Sequence, residues 1–415
     1  MAKIVIKKSP PLQGEVTVST SKNAVLPIIA ASILTDEDII IYQTPKLTDV
    51  MYMLRILRGF GAYAKYEKGT LLINSRDIHR CEGLLNSVKR LRSSFLFMGP
   101  LLTKTGCVRM PMPGGCRIGI RPIDLHVRGL QRLGADIITK DGWVIGTAKR
   151  LKGTDIYLDY PSVGATENIM MAAVLAEGTT TIKNAASEPE IADLANFLNR
   201  MGARVGGAGT NNIRIRGVKR VKGTAYTPIP DRIEAGTMMM AGAINGGDIV
   251  IKNADLGHLT PLSSKLMEAG AEIHPLPDAV RVTCKRPLKA QSVTASPYPG
   301  FPTDLQAQFA ALAATMRGTS IIMETVFENR FMYAAELIKM GADIRVEGRT
   351  AVVRGIDRLN GATVKATDLR AGAALILAGL AADNETVIED IYHIDRGYEK
   401  IEEKLRILGA DIVRI

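Results

Sequence analysis

Aromatic residues are scarce in this sequence: one Trp, eight Phe and eleven Tyr make up 5% of 415 residues. Ring-filled cores are thereby excluded, and Ala, Leu, Ile, Val and Met must supply most of the buried volume. Cysteine is scarcer still. Cys81, Cys107, Cys116 and Cys284 lie far apart with no CxxC pair, which argues against a disulfide framework or a thiolate metal site. The five histidines show no ligand spacing, and no metal centre is expected. No apolar run reaches the ~18–20 residues that span a bilayer; the richest, such as "IMMAAVLAEG", break at Gly or at charge. The opening "MAKIVIKKSP" lacks the apolar core and cleavage site of a secretory signal. The expectation is a soluble protein of a reducing cytoplasm.

Acidic residues are outnumbered. Lys and Arg total 53 against 42 Asp and Glu, a net charge of +11. Such a surface suits either weak nucleic-acid contact or an anionic substrate drawn to a basic cleft. Nucleic-acid binding calls for Lys/Arg clusters with interleaved aromatics. The dense basic clusters, "KRLR" at 89–92 and "IRIRGVKRVKG" at 213–223, contain no aromatic residue. An anionic substrate is the better reading.

What is abundant is repetition. A helix-like pattern ending in Gly-Ala, then an alternating strand, occurs six times: "LRGFGAYAKY", "LQRLGADIIT", "LNRMGARVGG", "LMEAGAEIHP", "LIKMGADIRV" and "LRILGADIVR". The glycines are Gly61, Gly134, Gly202, Gly270, Gly341 and Gly409, at intervals of 73, 68, 68, 71 and 68 residues. Each is placed to act as a left-handed helix cap. Upstream in each unit lies an apolar helix followed by a β-branched strand, as in "NIMMAAVLAEGTTTIKN" and "AALILAGLAADNETVIED". Helices apolar nearly all round belong inside a core. Each unit reads helix, strand, helix, strand, strand, which makes the fold class α/β (α+β).

The sixth unit stops at "LGADIVRI" without a hairpin partner, and the chain opens with an orphan strand, "AKIVIKK". The economical solution is that residues 1–20 complete the last unit. Two domains of three units each are expected, 21–229 and 1–20 plus 230–415, with the chain crossing between them twice. Two crossings make a hinge, and a hinge makes a cleft able to close on a substrate.

One stretch stands apart: "PGGCRIGIRP" at 113–122. Gly114 and Gly115 make this loop pliable, while Arg117 and Arg121 would lower the Cys116 thiol pKa and make it reactive. Cys81, Cys107 and Cys284 have no such setting and read as incidental.

Together with "SKNAVLP", "SVGATENIMMAA", "YPGFPTDLQAQ", "VFENRFM", "DLRAGAAL" and "HIDRGYEKIE", this loop resembles the enolpyruvyl transferase family over essentially the whole chain. The Gly-Gly-Cys loop points to the branch that serves peptidoglycan synthesis. The resemblance implies a two-domain inside-out barrel, three repeats per domain. It implies transfer of the enolpyruvyl group of phosphoenolpyruvate to the 3-hydroxyl of UDP-N-acetylglucosamine, with phosphate released, by addition and then elimination. It implies neither metal nor organic cofactor, no nucleic acid and no membrane, and it leaves room for a regulatory protein partner.

The same resemblance distributes roles. Cys116 is the proton donor on a mobile lid, and the residue alkylated by fosfomycin in the family. Lys22 and Asn23 hold the phosphoenolpyruvate phosphate, with Arg92, Arg121, Arg370 and Arg396 as further cations suited to bidentate contact with phosphate and carboxylate. Arg370 could equally be an ion-pair partner of Asp368. Asp304 is the base or orienting group for the sugar hydroxyl, or a plain helix cap, or both. Arg121, Pro122, Ile123, Asp124 and Leu125, with Ser162, Val163, Gly164 and Val326, carry the nucleotide sugar; Ser162–Gly164 lead into a helix whose N–H groups suit a diphosphate. One departure is that Thr20 and Ser21 stand where the family has Gly-Ala, which restricts the backbone at the first crossing. The alternatives are a sister transferase acting on shikimate 3-phosphate, which would lack the Gly-Gly-Cys loop, and a non-catalytic regulatory paralogue, which would not need this whole set.

Overall fold

A computed structural model describes residues 2–82, 91–112 and 123–415. The described residues form two compact units: one of residues 2–19 with 230–415, the other of 20–82, 91–112 and 123–229. Each unit has its own continuous apolar core. Thr20 groups with the second unit, where its Oγ1 donates to Gln43 O at 2.7 Å.

The repeat is visible element by element. In one copy the Val163–Ala173 helix leads to the Thr179–Lys183 strand, then the Pro189–Arg200 helix, then the Val205–Gly206 and Asn212–Arg216 strands. The apolar helices are interior, as their composition requires. Every residue of Arg232–Ile244 and of Gln306–Ala313 is buried. All six repeat glycines take left-handed backbone, with φ of 109°, 97°, 100°, 107°, 88° and 93° in chain order. A side chain would be strained there, so the Gly-Ala signature is a set of helix stops.

Among the described residues, six small sheets follow from the six repeats, and five have four strands. Each four-stranded sheet joins a parallel pair to antiparallel neighbours. Thr179–Lys183, for example, pairs parallel with Asp155–Tyr157 and antiparallel with Asn212–Arg216. Three sheets borrow strands from far along the chain, and in one of them Gln13–Thr17 pairs parallel with Asp248–Lys252 of the fourth repeat. Thr224–Tyr226 pairs parallel with Ile39–Ile41. Ile4–Ile6 sits between Thr386–Glu389 and Ile412–Arg414, antiparallel to both, with Ile4 opposite Ile388 and Arg414. The orphan first strand thus fills the gap in the sixth repeat.

Candidate active site

Cys116, Arg121 and Pro122 lie outside the described residues, so the site is built from the other candidates, taken unit by unit.

In the unit of residues 20–229, Lys22 is the first residue of the Lys22–Ala31 helix. A cation at a helix N-terminus opposes the helix dipole, and here it is offset by Asp49, buried at the start of the Thr48–Gly59 helix. Lys22 Nζ lies 3.5 Å from Asp49 Oδ2, with 12% of the Lys22 side chain exposed. Asn23 follows it, half-buried. Arg92 opens the Arg92–Phe97 turn of 3-10 helix and is also half-buried.

Ile123, Asp124 and Leu125 form the entry to the Asp124–Arg132 helix. Ser162, Val163 and Gly164 form the entry to the Val163–Ala173 helix, whose Ser162 hydroxyl accepts the Ala165 N–H at 3.4 Å. These two helix starts come together because the helices pack with almost no space between them. A Cβ on Gly129 would stand 2.2 Å from Ile169 Cδ1, and one on Gly164 would stand 3.0 Å from His126 Cε1. Between them lies a polar core that sequence reasoning missed. Asn168 Oδ1 accepts the Gly99 N–H at 2.6 Å, and its Nδ2 donates to Phe95 O at 2.9 Å and to His126 Nδ1 at 3.1 Å. Burial, aided by the Arg92 charge, pushes the His126 pKa down to about 3.

Deeper in this unit, Glu167 is held well above the ordinary carboxylate range, first by burial and then by Glu190 and Glu188. Burial likewise pushes Asp193 up to about 6 against the hydrogen bond it accepts from Tyr226 Oη at 2.6 Å.

In the unit of residues 230–415, Asp304 lies in a short 3-10 turn before the Gln306–Ala313 helix, which has no side-chain cap. Its carboxylate instead meets two guanidinium groups: Arg330 at 3.0 Å on Oδ1 and Arg370 at 2.7 Å on Oδ2. The two arginine side chains are 3% and 4% exposed, and Asp304 is 29% exposed. Two guanidinium groups on one carboxylate fix both its oxygens. The plain-cap alternative for Asp304 does not hold.

Nor is Arg370 the ion-pair partner of Asp368. Asp368 caps the Leu369–Ala381 helix by accepting the Arg370 and Ala371 N–H groups, and that cap aims the Arg370 guanidinium at Asp304. Arg370 also lies over the Tyr398 ring, 5.5 Å from its centroid. Tyr398 Oη is bonded in turn to Thr237 and Gln308.

Val326 is tied to the Asp304 turn by Glu324, a fully buried residue also unforeseen. Glu324 Oε1 accepts the Val326 and Phe327 N–H groups at 2.7 and 3.1 Å, and Oε2 accepts the Thr303 hydroxyl at 2.8 Å. Arg396 ends the Ile391–Arg396 turn, half-buried.

Among the described residues no group of three or more His, Cys, Asp or Glu is placed to hold a metal, and no helix is long and apolar enough to cross a membrane. Taken by itself, the unit of residues 20–229 offers partly exposed cations, and the unit of residues 230–415 a carboxylate fixed between two buried guanidinium groups.

Comparison with known proteins agrees. Residues 6–405 match the family described as EPSP synthase (3-phosphoshikimate 1-carboxyvinyltransferase). The chain is 56% identical to UDP-N-acetylglucosamine 1-carboxyvinyltransferase 1 of Caldanaerobacter subterraneus subsp. tengcongensis, over 99% of each chain. It is 54% identical to UDP-N-acetylglucosamine 1-carboxyvinyltransferase 2 of Carboxydothermus hydrogenoformans, over the full length of both. Among solved structures, the enolpyruvyl transferase NikO from Streptomyces tendae superposes with a TM-score of 0.90 at 27% identity, covering 100% of this chain and 98% of that one. The EPSP synthase of Acinetobacter baumannii, at 18% identity and a TM-score of 0.77 over the full length of both chains, shares the fold.

Proposed function

The chain belongs to the EPSP synthase family of carboxyvinyl transferases, and on that footing we propose that it is the peptidoglycan-branch enzyme. It transfers the enolpyruvyl group of phosphoenolpyruvate to the 3-hydroxyl of UDP-N-acetylglucosamine and releases phosphate. The observation that carries this reading is full-length identity above 50% to relatives bearing that activity in their names. The shikimate 3-phosphate alternative rests on the family description, which covers both branches, and on a fold shared at 18% identity.

In this reading the sugar hydroxyl oxygen adds to C2 of phosphoenolpyruvate, its proton passing to the Asp304 carboxylate and on to the departing phosphate, while the Cys116 thiol gives a proton to the methylene carbon and takes one back on elimination. The product is a tetrahedral phospho-ketal. Loss of phosphate, with return of a proton from the new methyl group, restores the double bond in the transferred group. Asp304, its carboxylate gripped by Arg330 and Arg370, orients the attacking hydroxyl. Lys22, Asn23, Arg92, Arg121 and Arg396 carry anionic oxygens of the two substrates and gain strength as charge develops. Arg370 acts through Asp304. Ile123–Leu125, Ser162–Gly164 and Val326 position the nucleotide sugar. The two compact units are the two domains of this enzyme, and it works in the cytoplasm without cofactor.

The test is phosphate release from phosphoenolpyruvate with UDP-N-acetylglucosamine as acceptor, beside shikimate 3-phosphate and a Cys116→Ala variant. Release with the nucleotide sugar alone, lost in the variant, is the expected result. Release with shikimate 3-phosphate overturns the acceptor assignment, and release that survives in the variant removes Cys116 from the role of acid. No release with either acceptor favours the regulatory paralogue.

A further inference from the structure

His126 has no part in the reading above, yet its surroundings leave it one chemical role. It is 8% exposed and stands edge-on to Phe95, ring centroids 5.3 Å apart. Asn168, fully buried, decides which ring nitrogen carries the proton. The Gly99 N–H can only donate, so the atom it meets at 2.6 Å is the amide oxygen. The amide nitrogen therefore faces Phe95 O and His126 Nδ1. A carbonyl oxygen only accepts, which takes one amide hydrogen; the second goes to Nδ1, which must be unprotonated. The ring proton is thus on Nε2.

Among the described residues Nε2 has no hydrogen-bond partner, and it abuts Gly164: a Cβ there would stand 3.2 Å away. Gly164 is in the first turn of the Val163–Ala173 helix, where backbone N–H groups lack intrahelical partners and the helix dipole favours an anion. The Nε2–H, without a protein partner among the described residues and set beside those N–H groups, is placed to meet an anion bound there.

We infer that His126 donates Nε2–H to a phosphate oxygen of the nucleotide-sugar diphosphate, and that Asn168 is the positioning residue that fixes this tautomer. The inference rests on the nucleotide-sugar reading for its physiological ligand, but not for the presence of a phosphate site. Burial and the Arg92 charge keep the ring neutral at working pH, so the donor does not switch. A neutral donor recognises a phosphate oxygen without adding charge to a site already rich in cations. The same geometry gives Gly164 its reason: a methyl group there would press on the donor.

The experiment uses the full chain labelled with 15N. The His126 ring is expected as the Nε2–H tautomer at pH 7, and UDP is expected to shift its Nε2–H signal while uridine does not. In kinetics, His126→Phe, which keeps the ring packing without the donor, should raise the KM for UDP-N-acetylglucosamine about tenfold, a typical loss for one hydrogen bond to a charged oxygen. The KM for phosphoenolpyruvate should change far less, and His126→Gln, which restores a donor, should recover part of the loss. Asn168→Asp should convert the ring to the Nδ1–H form and weaken UDP binding.

An Nδ1–H tautomer in the wild type, a signal that UDP leaves unmoved, or an unchanged acceptor KM in His126→Phe would each overturn the inference. If either variant fails to fold, the wild-type titration decides alone. A wild type that releases no phosphate with the nucleotide sugar sinks the functional reading instead, and the UDP titration still decides on His126.

Discussion

Arg370 donates to Asp304 Oδ2 at 2.7 Å from a position 66 residues further along the chain, and the guanidinium is almost wholly buried. Removing one member of a buried ion pair typically costs about 3–5 kcal/mol, because the other charge is left behind. Asp304 keeps Arg330 and is partly exposed, which moderates the loss. Arg370→Met should therefore lower stability by about 2–3 kcal/mol in urea denaturation and reduce kcat at least a hundredfold. A variant as stable as the wild type would show that the pair contributes nothing to the fold.

Glu324 holds two candidate segments with one carboxylate. Glu324→Met keeps the length but can accept at neither end, so the Thr303 hydroxyl and the Val326 and Phe327 N–H groups lose their partner. The expected loss is about 1–3 kcal/mol, with a raised KM for the acceptor because both Asp304 and Val326 shift. Stability lost with no change in KM would confine Glu324 to the fold.

At Gly164 a methyl group would stand 3.0 and 3.2 Å from the His126 ring. That is tight enough to displace the ring, which Asn168 and Phe95 hold in place. Gly164→Ala is expected to cost about 1–3 kcal/mol of stability and to weaken UDP binding several-fold by calorimetry. Unchanged affinity would mean that the ring moves freely.

Asp193 makes stability depend on pH. A carboxyl whose folded pKa is raised, here from 3.8 to about 6, favours folding in its protonated form. Its contribution is complete below about pH 4 and is lost as pH rises through about 6, worth roughly 3 kcal/mol in all. Glu167, raised by burial, acts in the same direction. The Tyr226 hydrogen bond opposes the rise, so Tyr226→Phe should push the Asp193 value higher and deepen the loss between pH 5 and pH 8. Urea midpoints across that range test this; a variant whose midpoint falls less than the wild type's contradicts it.

The periodic features of the fold were legible because each repeat obeys one rule. Six glycines at near-constant spacing meant six left-handed helix stops, and all six have positive φ. Residues that act through long-range partners were not legible in that way. Arg330 reaches Asp304 across 26 residues, and Asn168 reaches His126 across 42; no local period encodes either contact. Asp368 misled because a carboxylate beside an arginine suggests an ion pair, whereas at a helix start it takes backbone N–H groups instead. One signal was present and unused. In the Thr319–Glu324 strand every second residue is buried, and Glu324 falls on the buried phase. A charge on the inward side of an alternating strand has a partner to find.

The Ile4–Ile6 strand has a consequence for synthesis. It is made long before both its neighbours, Thr386–Glu389 and Ile412–Arg414. The unit of residues 20–229 draws all its sheet strands from its own segment and can fold while translation continues. The other unit must hold its Ile4–Ile6 strand in waiting until those two neighbours are made. An exposed Ile-Val-Ile segment is an invitation to wrong pairing. The flanking Lys3, Lys7 and Lys8 place positive charge on both sides of it, and like charges keep two such nascent strands apart until the right edge arrives.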